Sequence, residues 1–220
     1  HGAVAAIELQ HCGPYSYTSA LEGNQIYGAV DKVNPMGQFA PAMPEEVIEE
    51  TIEAYADATA FAKFCGFGLV MIHAGHGWLI NQFLDPNIND RKDRWGGSLE
   101  NRCRFLLSIV ERIRQKCGRG FPIEVRMSGS MCYEGGYGID EGIAIARLLD
   151  GKVDLIHVSA GSHEAQVDRE EDRIDLAEGG QEAGAPEGPS CFARLERSGA
   201  LFAVTHPSMF LPDGVNVQYA

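Results

Sequence analysis

Four short apolar runs, separated by segments of helical period, constrain this chain more than any other feature. The runs are AVAAIEL (3–9), FGLVMIH (67–73), PIEVRMS (122–128) and VDLIHVSAG (153–161). Each has the length and bounding turn residues of a buried strand. A helix is predicted to begin near Pro44, a residue suited to the first helical position. Glu45, Glu46, Glu49 and Glu50 complement the positive end of its dipole. Val47, Ile48, Ile52, Tyr55, Ala58 and Ala62 form its apolar stripe, and Gly66 is placed to end it. A second helix is capped by Ser98, carries Leu99, Cys103, Leu106, Ile109, Val110 and Ile113 on one face, and closes at Gly118 and Gly120. A shorter one runs from about Asp140 to Asp150. Strands and helices alternating at this interval predict an α/β chain with a parallel sheet and right-handed crossovers.

The strand runs are apolar throughout, as expected when helices cover one face of the sheet and a packed core fills the other. Polar residues gather where the runs end: Gln10 and His11, His73 and His76, Arg126 and Ser128, His157 and Ser159. In a (β/α) barrel those ends make the active-site face. A doubly wound sheet also places ligands there, and periodicity leaves both architectures open. Neither GxGxxG after a strand nor GxxxxGK[ST] occurs, so a Rossmann or P-loop reading has little support.

Composition narrows the partners. The chain has 220 residues, room for one domain, with 45% hydrophobic and 22% charged residues, the balance of a globular protein in water. A net charge of −13 repels nucleic acid and anionic membrane surfaces, so neither is expected as a partner. No apolar run approaches the ~20 residues that span a bilayer, and HGAVAAIEL is not a signal peptide. Cysteines 12, 65, 103, 117, 132 and 191 lack CxxC spacing, the pattern of reduced thiols in a cytoplasmic protein. Residues 164–201 are acidic and rich in Gly, Ala and Pro, and are expected to be a flexible insertion, not a second domain.

The stretch IHAGHGW (72–78) poses the sharpest chemical question. His73 and His76 stand three apart at a strand end, with Gly75 and Gly77 flanking the second. On the residues alone the pair can be structural, metal-binding or catalytic. With no carboxylate or Cys at convincing ligand spacing nearby, no metal is expected.

The longer stretch IHAGHGWLINQFLDPNINDRKDRWGGSLENRCRF (72–105) resembles the signature of the old yellow enzyme family. It is similar to the bacterial branch that includes 2,4-dienoyl-CoA reductases, 2-enoate reductases and bile-acid enoate reductases. IELQHCG (7–13), VNPMGQFAPAMPEEVIEETIEAYADAT (33–59), IEVRMSGS (123–130), DLIHVSAG (154–161) and THPSMFLPDG (205–214) match in order. The resemblance implies a (β/α)8 TIM barrel with FMN at its C-terminal face. It further implies that this chain spans about strands three to six of an incomplete barrel, interrupted by the 164–201 insertion.

The resemblance also implies a reaction. NADH or NADPH reduces FMN, and the flavin passes hydride to the β-carbon of an activated alkene in an enone, enoate or enoyl-CoA. His73 and His76 match the family's donors to the substrate oxygen, where negative charge grows as hydride arrives. Arg126 matches the arginine facing the flavin N1 and C2 oxygen, where reduced flavin is anionic. Glu8 stands where the family commonly has Gln on the flavin pyrimidine edge. It can accept from N3–H but donates only when protonated. Gln10, two residues on, points to the same side of a strand and is a fallback. Trp78 stands where many members have a proton-donating Tyr. Indole is not a usable acid, so Trp78 is expected to wall the substrate pocket, with the proton coming from water, Tyr133 or Tyr137. His157 and His206 are expected to be structural or surface groups.

The partner is therefore expected to be a small-molecule substrate. An open part-barrel would expose unpaired strand edges, so a homo-oligomer is also expected. The alternative expectation is a non-catalytic truncated barrel fragment that binds no flavin. A weaker one is a TIM-barrel enzyme of another class.

Overall fold

The computed structural model describes residues 2–162 and a short strand at 202–204. The chain enters as strand β1 (Ala6–Leu9), then makes a single 3-10 turn at Gly13–Tyr15 and helix α1 (Tyr17–Leu21). A small antiparallel pair, β2 (Lys32–Val33) and β3 (Phe39–Ala40), precedes the long helix α2 (Glu45–Phe64). Next come β4 (Leu69–Ala74), the one-and-a-half-turn α3 (Leu79–Leu84), α4 (Leu99–Cys117), β5 (Ile123–Ser128), α5 (Ile139–Leu149), β6 (Leu155–Ser159) and β7 (Phe202–Val204).

Five strands form one parallel sheet in the order β1-β4-β5-β6-β7. Sheet order follows chain order without reversal. Right-handed crossovers then put the long helices α2, α4 and α5 on the same face, whereas a doubly wound sheet reverses and covers both. This topology selects the barrel that periodicity left open. Four strands are those expected from the apolar runs, and the three-residue β7 joins beyond β6. The whole of the acidic stretch 164–201, and residues 205–220 with His206, lie outside the described residues.

The two faces of the sheet differ chemically. Val70, Ile72, Ala74, Ile123, Val125 and Met127 are fully buried on the helix-covered face. The opposite face carries Glu8, Met71, His73, Glu124, Arg126 and His157. There, cross-strand register puts His73 beside Arg126 and Arg126 beside His157.

Helix α2 shows why its buried arc departs from the apolar stripe. Ala58 is exposed, and Thr59 is buried instead. Thr51 and Thr59 donate their hydroxyls to the carbonyls of Val47 and Tyr55, 2.7 and 2.8 Å away, so neither hydroxyl is left unsatisfied against the core. Ser98 caps α4 by accepting from the Asn101 amide. Phe83, Trp95 and Phe105 pack together beneath α3 and α4, with Phe83 and Phe105 ring centroids 4.6 Å apart.

Much of the 72–105 stretch is a brace under the site. Asn89 donates to the carbonyls of Phe83 and Trp95 at 2.7 and 2.8 Å. Arg91 reaches the carbonyls of Ala29 and Met43. Buried Arg102 donates to the carbonyls of Leu84 and Gly97 and pairs with Glu141 at the start of α5. A Cβ on Gly96 would lie 2.5 Å from the Arg91 carbonyl oxygen, so only glycine fits there. These polar residues tie the loop after α3 to the helices that carry the strands.

Candidate active site

The β4 strand ends at Ala74, and the chain turns sharply over the next four residues. His76 adopts a left-handed backbone, φ 61, followed by Gly77 at φ 85. A left-handed non-glycine residue costs about 1–3 kcal/mol and persists only where its surroundings impose it. Here they do. The His76 amide donates to the Ser128 hydroxyl at 3.1 Å, and that hydroxyl donates to the Gly161 carbonyl at 2.9 Å. His76 also forms a parallel bridge with Ser162. The Gly77 amide donates to Asn81 Oδ1 at 2.7 Å, and Gln82 donates back to the Gly77 carbonyl. A Cβ on Gly75 would approach Ser128 N and Oγ to 3.1 Å, which is why the turn can lie against the end of β5.

This turn brings the two histidines together. His73 Nε2 lies 2.9 Å from His76 Nδ1, with ring centroids 5.1 Å apart. On its other side His73 Nδ1 bonds the carboxylate of Glu8, which sits on the neighbouring edge strand with its side chain 31% exposed. The hydrogen bond from His73 holds the Glu8 carboxyl below the ordinary carboxylate range. Desolvation opposes the shift, and the charges of His73, Arg126 and His157 favour it.

Arg126 is buried beside His73, and its Nε donates to Ser159 Oγ at 3.1 Å. A second carboxylate–imidazole pair lies one strand further on: His157 Nδ1 is 2.9 Å from Glu124 Oε1, both side chains buried. His157 is thus a structural member of the inner face rather than a surface group. Its signal in the sequence was its place two residues before Ser159 on a strand, but Glu124 gave no sign of being its partner.

Other expected residues fall differently. Gln10 lies past the end of β1, exposed, with its amide on Cys12 Sγ at 3.6 Å. Trp78 is the residue before α3, half-buried, with its ring edge-on to Tyr15 at 6.0 Å. Tyr137 is no open-loop acid: its buried hydroxyl donates to the Ser128 carbonyl at 2.9 Å and accepts from Asn81. Burial pushes its phenol far above the ordinary range. Tyr133 bonds the Asp85 carboxylate. Both tyrosines stand in the glycine-rich run MCYEGGYGI (131–139), which signals a loop but not the direction in which that loop folds back. His11 is a polar group just past the end of β1. It accepts from the Gly13 amide at 3.0 Å, and burial lowers its pKa, which keeps it a neutral acceptor.

The described residues thus form a parallel barrel segment with imidazoles and a guanidinium at the C-terminal strand ends. Residues 1–181 match the model of the NADH:flavin oxidoreductase / NADH oxidase family, and the chain belongs to that family. It is 41% identical over 163 residues to an NADPH dehydrogenase of Halalkalibacterium halodurans, covering 74% of this chain and 46% of that protein. It is 36% identical over 171 residues to an NADH oxidase of Thermoanaerobacter brockii, covering 75% of this chain and 26% of the relative. The chain therefore spans at most about half the length of these relatives. Among solved structures it resembles a 2-naphthoyl-CoA reductase in complex with 2-naphthoyl-CoA, with TM-score 0.68 and 33% identity over 74% of this chain and 27% of that one. It also resembles an old yellow enzyme from a Pichia species, with TM-score 0.62 and 25% identity over 71% of this chain and 47% of that one.

The chemistry of the inner face would suit the pyrimidine edge of a flavin. Arg126 offers a fixed cationic donor and Glu8 a carboxylate acceptor, two strands apart on the same face. Among the described residues, no three His, Cys, Asp or Glu side chains converge to hold a metal ion.

Proposed function

We propose that this chain forms the substrate-facing part of an FMN-dependent oxidoreductase that passes hydride from NADH or NADPH, through the flavin, to the activated C=C bond of an enone, enoate or enoyl-CoA. The observation that carries this reading is the His73–His76 pair, 2.9 Å apart at the end of β4 beside Arg126.

The flavin, when bound, supplies the hydride. Arg126 would hold the pyrimidine edge and favour negative charge there, with its guanidinium fixed by Ser159. The histidine pair takes the carbonyl or carboxylate oxygen of the substrate. Charge grows on that oxygen as the alkene accepts hydride, and donors already in place stabilise it more than they stabilise the ground state. The tethers from Ser128 and Asn81 keep the turn from relaxing away from that oxygen.

His73→Ala or His76→Ala in the flavin-loaded protein should slow alkene reduction by about 10²–10³. Flavin should remain bound, and its reduction by NADH or NADPH should change less. Stopped-flow measurement of the two half-reactions separates these. An equal fall in both would remove the pair from the role assigned to it.

A further inference from the structure

Sheet register puts His73, Arg126 and His157 side by side on β4, β5 and β6, with Glu8 and Glu124 on either side of Met71 in the row beneath. Each carboxylate is held by an imidazole of the upper row. Glu8 bonds His73, and Glu124 bonds His157, whose Nδ1 lies 2.9 Å from Oε1. Arg126 is buried between the two imidazoles. Among the described residues its guanidinium pairs with no carboxylate and bonds only Ser159 Oγ, through Nε. A carboxylate is nevertheless close by. Glu124 precedes Arg126 by two residues on the same strand face, about 7 Å away along the backbone, within reach of two long side chains. A buried guanidinium and carboxylate so placed form a charge-assisted pair unless another group holds one of them.

We propose that His157 is a positioning residue: it holds the Glu124 carboxylate away from Arg126, so that the terminal amino groups of Arg126 stay open to an acceptor inside the barrel. That this acceptor is the pyrimidine edge of a flavin rests on the function proposed above.

The arrangement gives Glu124 and His157 distinct effects on Arg126. An ionised carboxylate only accepts, so His157 is the donor of the pair. Glu124, one row below, offsets part of the cost of burying the guanidinium through its field, without occupying the guanidinium's donors. Direct contact would occupy them. Removing the His157 donor leaves Glu124 buried without its partner, a costly state whose nearest remedy on that face is Arg126. The guanidinium then turns to the carboxylate, and its charge is cancelled where reduced flavin becomes anionic. Flavin affinity and reduction potential both fall.

The test is His157→Phe, which keeps a ring and loses the donor. FMN titrated into the flavin-free protein and followed by flavin fluorescence should bind about tenfold more weakly. Equilibration with a reference dye should show the reduced-to-oxidised flavin ratio at a fixed potential falling about tenfold, a shift of about 30 mV for a two-electron couple. His157→Gln keeps a donor and should stay near the parent in both measurements. Adding Glu124→Leu to His157→Phe removes the competing carboxylate and should return both. A purely structural His157 would lower stability without this recovery. A His157→Phe protein that matches the parent, or a double variant that does not recover, overturns the proposal and leaves Arg126 in its role. Arg126→Gln, measured alongside, tests that role: unchanged affinity and potential there overturn both. A crystal structure of the flavin-loaded parent needs no variant. Glu124 on His157 with Arg126 on the flavin supports the proposal, and Glu124 on Arg126 overturns it.

Discussion

Ser128 at the end of β5 joins two neighbours through one hydroxyl: it accepts from the His76 amide at 3.1 Å and donates to the Gly161 carbonyl at 2.9 Å. The side chain is wholly buried. Three consecutive strand ends are therefore tied by a group that must act as donor and acceptor at once. The left-handed backbone of His76 depends on that tie.

Replacing Ser128 with Ala removes both bonds and leaves the partly buried His76 amide without its acceptor. The expected cost is about 1–3 kcal/mol of folding stability, read from urea denaturation. Alkene reduction by the flavin-loaded protein should slow as well, because the His76 ring is aimed by its backbone. Full stability together with an unchanged rate would show that the turn is held by other contacts.

Trp78 packs edge-on against Tyr15 at the mouth of α3. As a wall residue it should tolerate Trp78→Phe with much of the alkene-reducing rate retained, whereas loss of a true proton donor costs ~10²–10⁴. Trp78→Tyr should be tolerated too, and should speed protonation where that step limits turnover. Rates of the oxidative half-reaction with solvent isotope effects decide this. A collapse in the Phe variant would mean that the indole N–H is itself required.

Acid should weaken the α2–α4 contact through Glu53. Arg112 and then Lys116 hold its carboxyl at about 2, below the ordinary 4.5. A depressed folded-state pKa adds stability that is complete above 4.5 and is lost as pH falls toward 2. The cluster is exposed, so the contribution is small and screened by salt. Glu53→Gln should flatten the decline of urea-unfolding stability across that window at low ionic strength. An unchanged slope would mean that the cluster is fully screened.

The departures between sequence and structure have specific physical causes. Helix α4 begins and ends where Ser98 and Gly118 indicate, because caps act within a turn of their own position. The buried arc of α2 is misread at Ala58 and Thr59, because hydropathy counts a threonine hydroxyl as polar even when it bonds the carbonyl one turn back. Tyr137 reads as a loop phenol open to a pocket, yet Ser128 and Asn81 enclose it. Strand β7 is three residues long beside a long acidic stretch, too short for any period to show.

By itself, the sequence determined the alternation of strands and helices, the family, and the candidate histidines and arginine at the strand ends. All of these depend on short-range period, local caps or a contiguous motif. Periodicity left the order of strands open and the family resemblance implied it; the pairing of Glu8 with His73 and of Glu124 with His157 came only with the tertiary structure. These partners stand 65 and 33 residues apart. Nothing local connects them: it is the parallel register of adjacent strands that places a carboxylate diagonally across from an imidazole, and register belongs to the sheet rather than to any one segment.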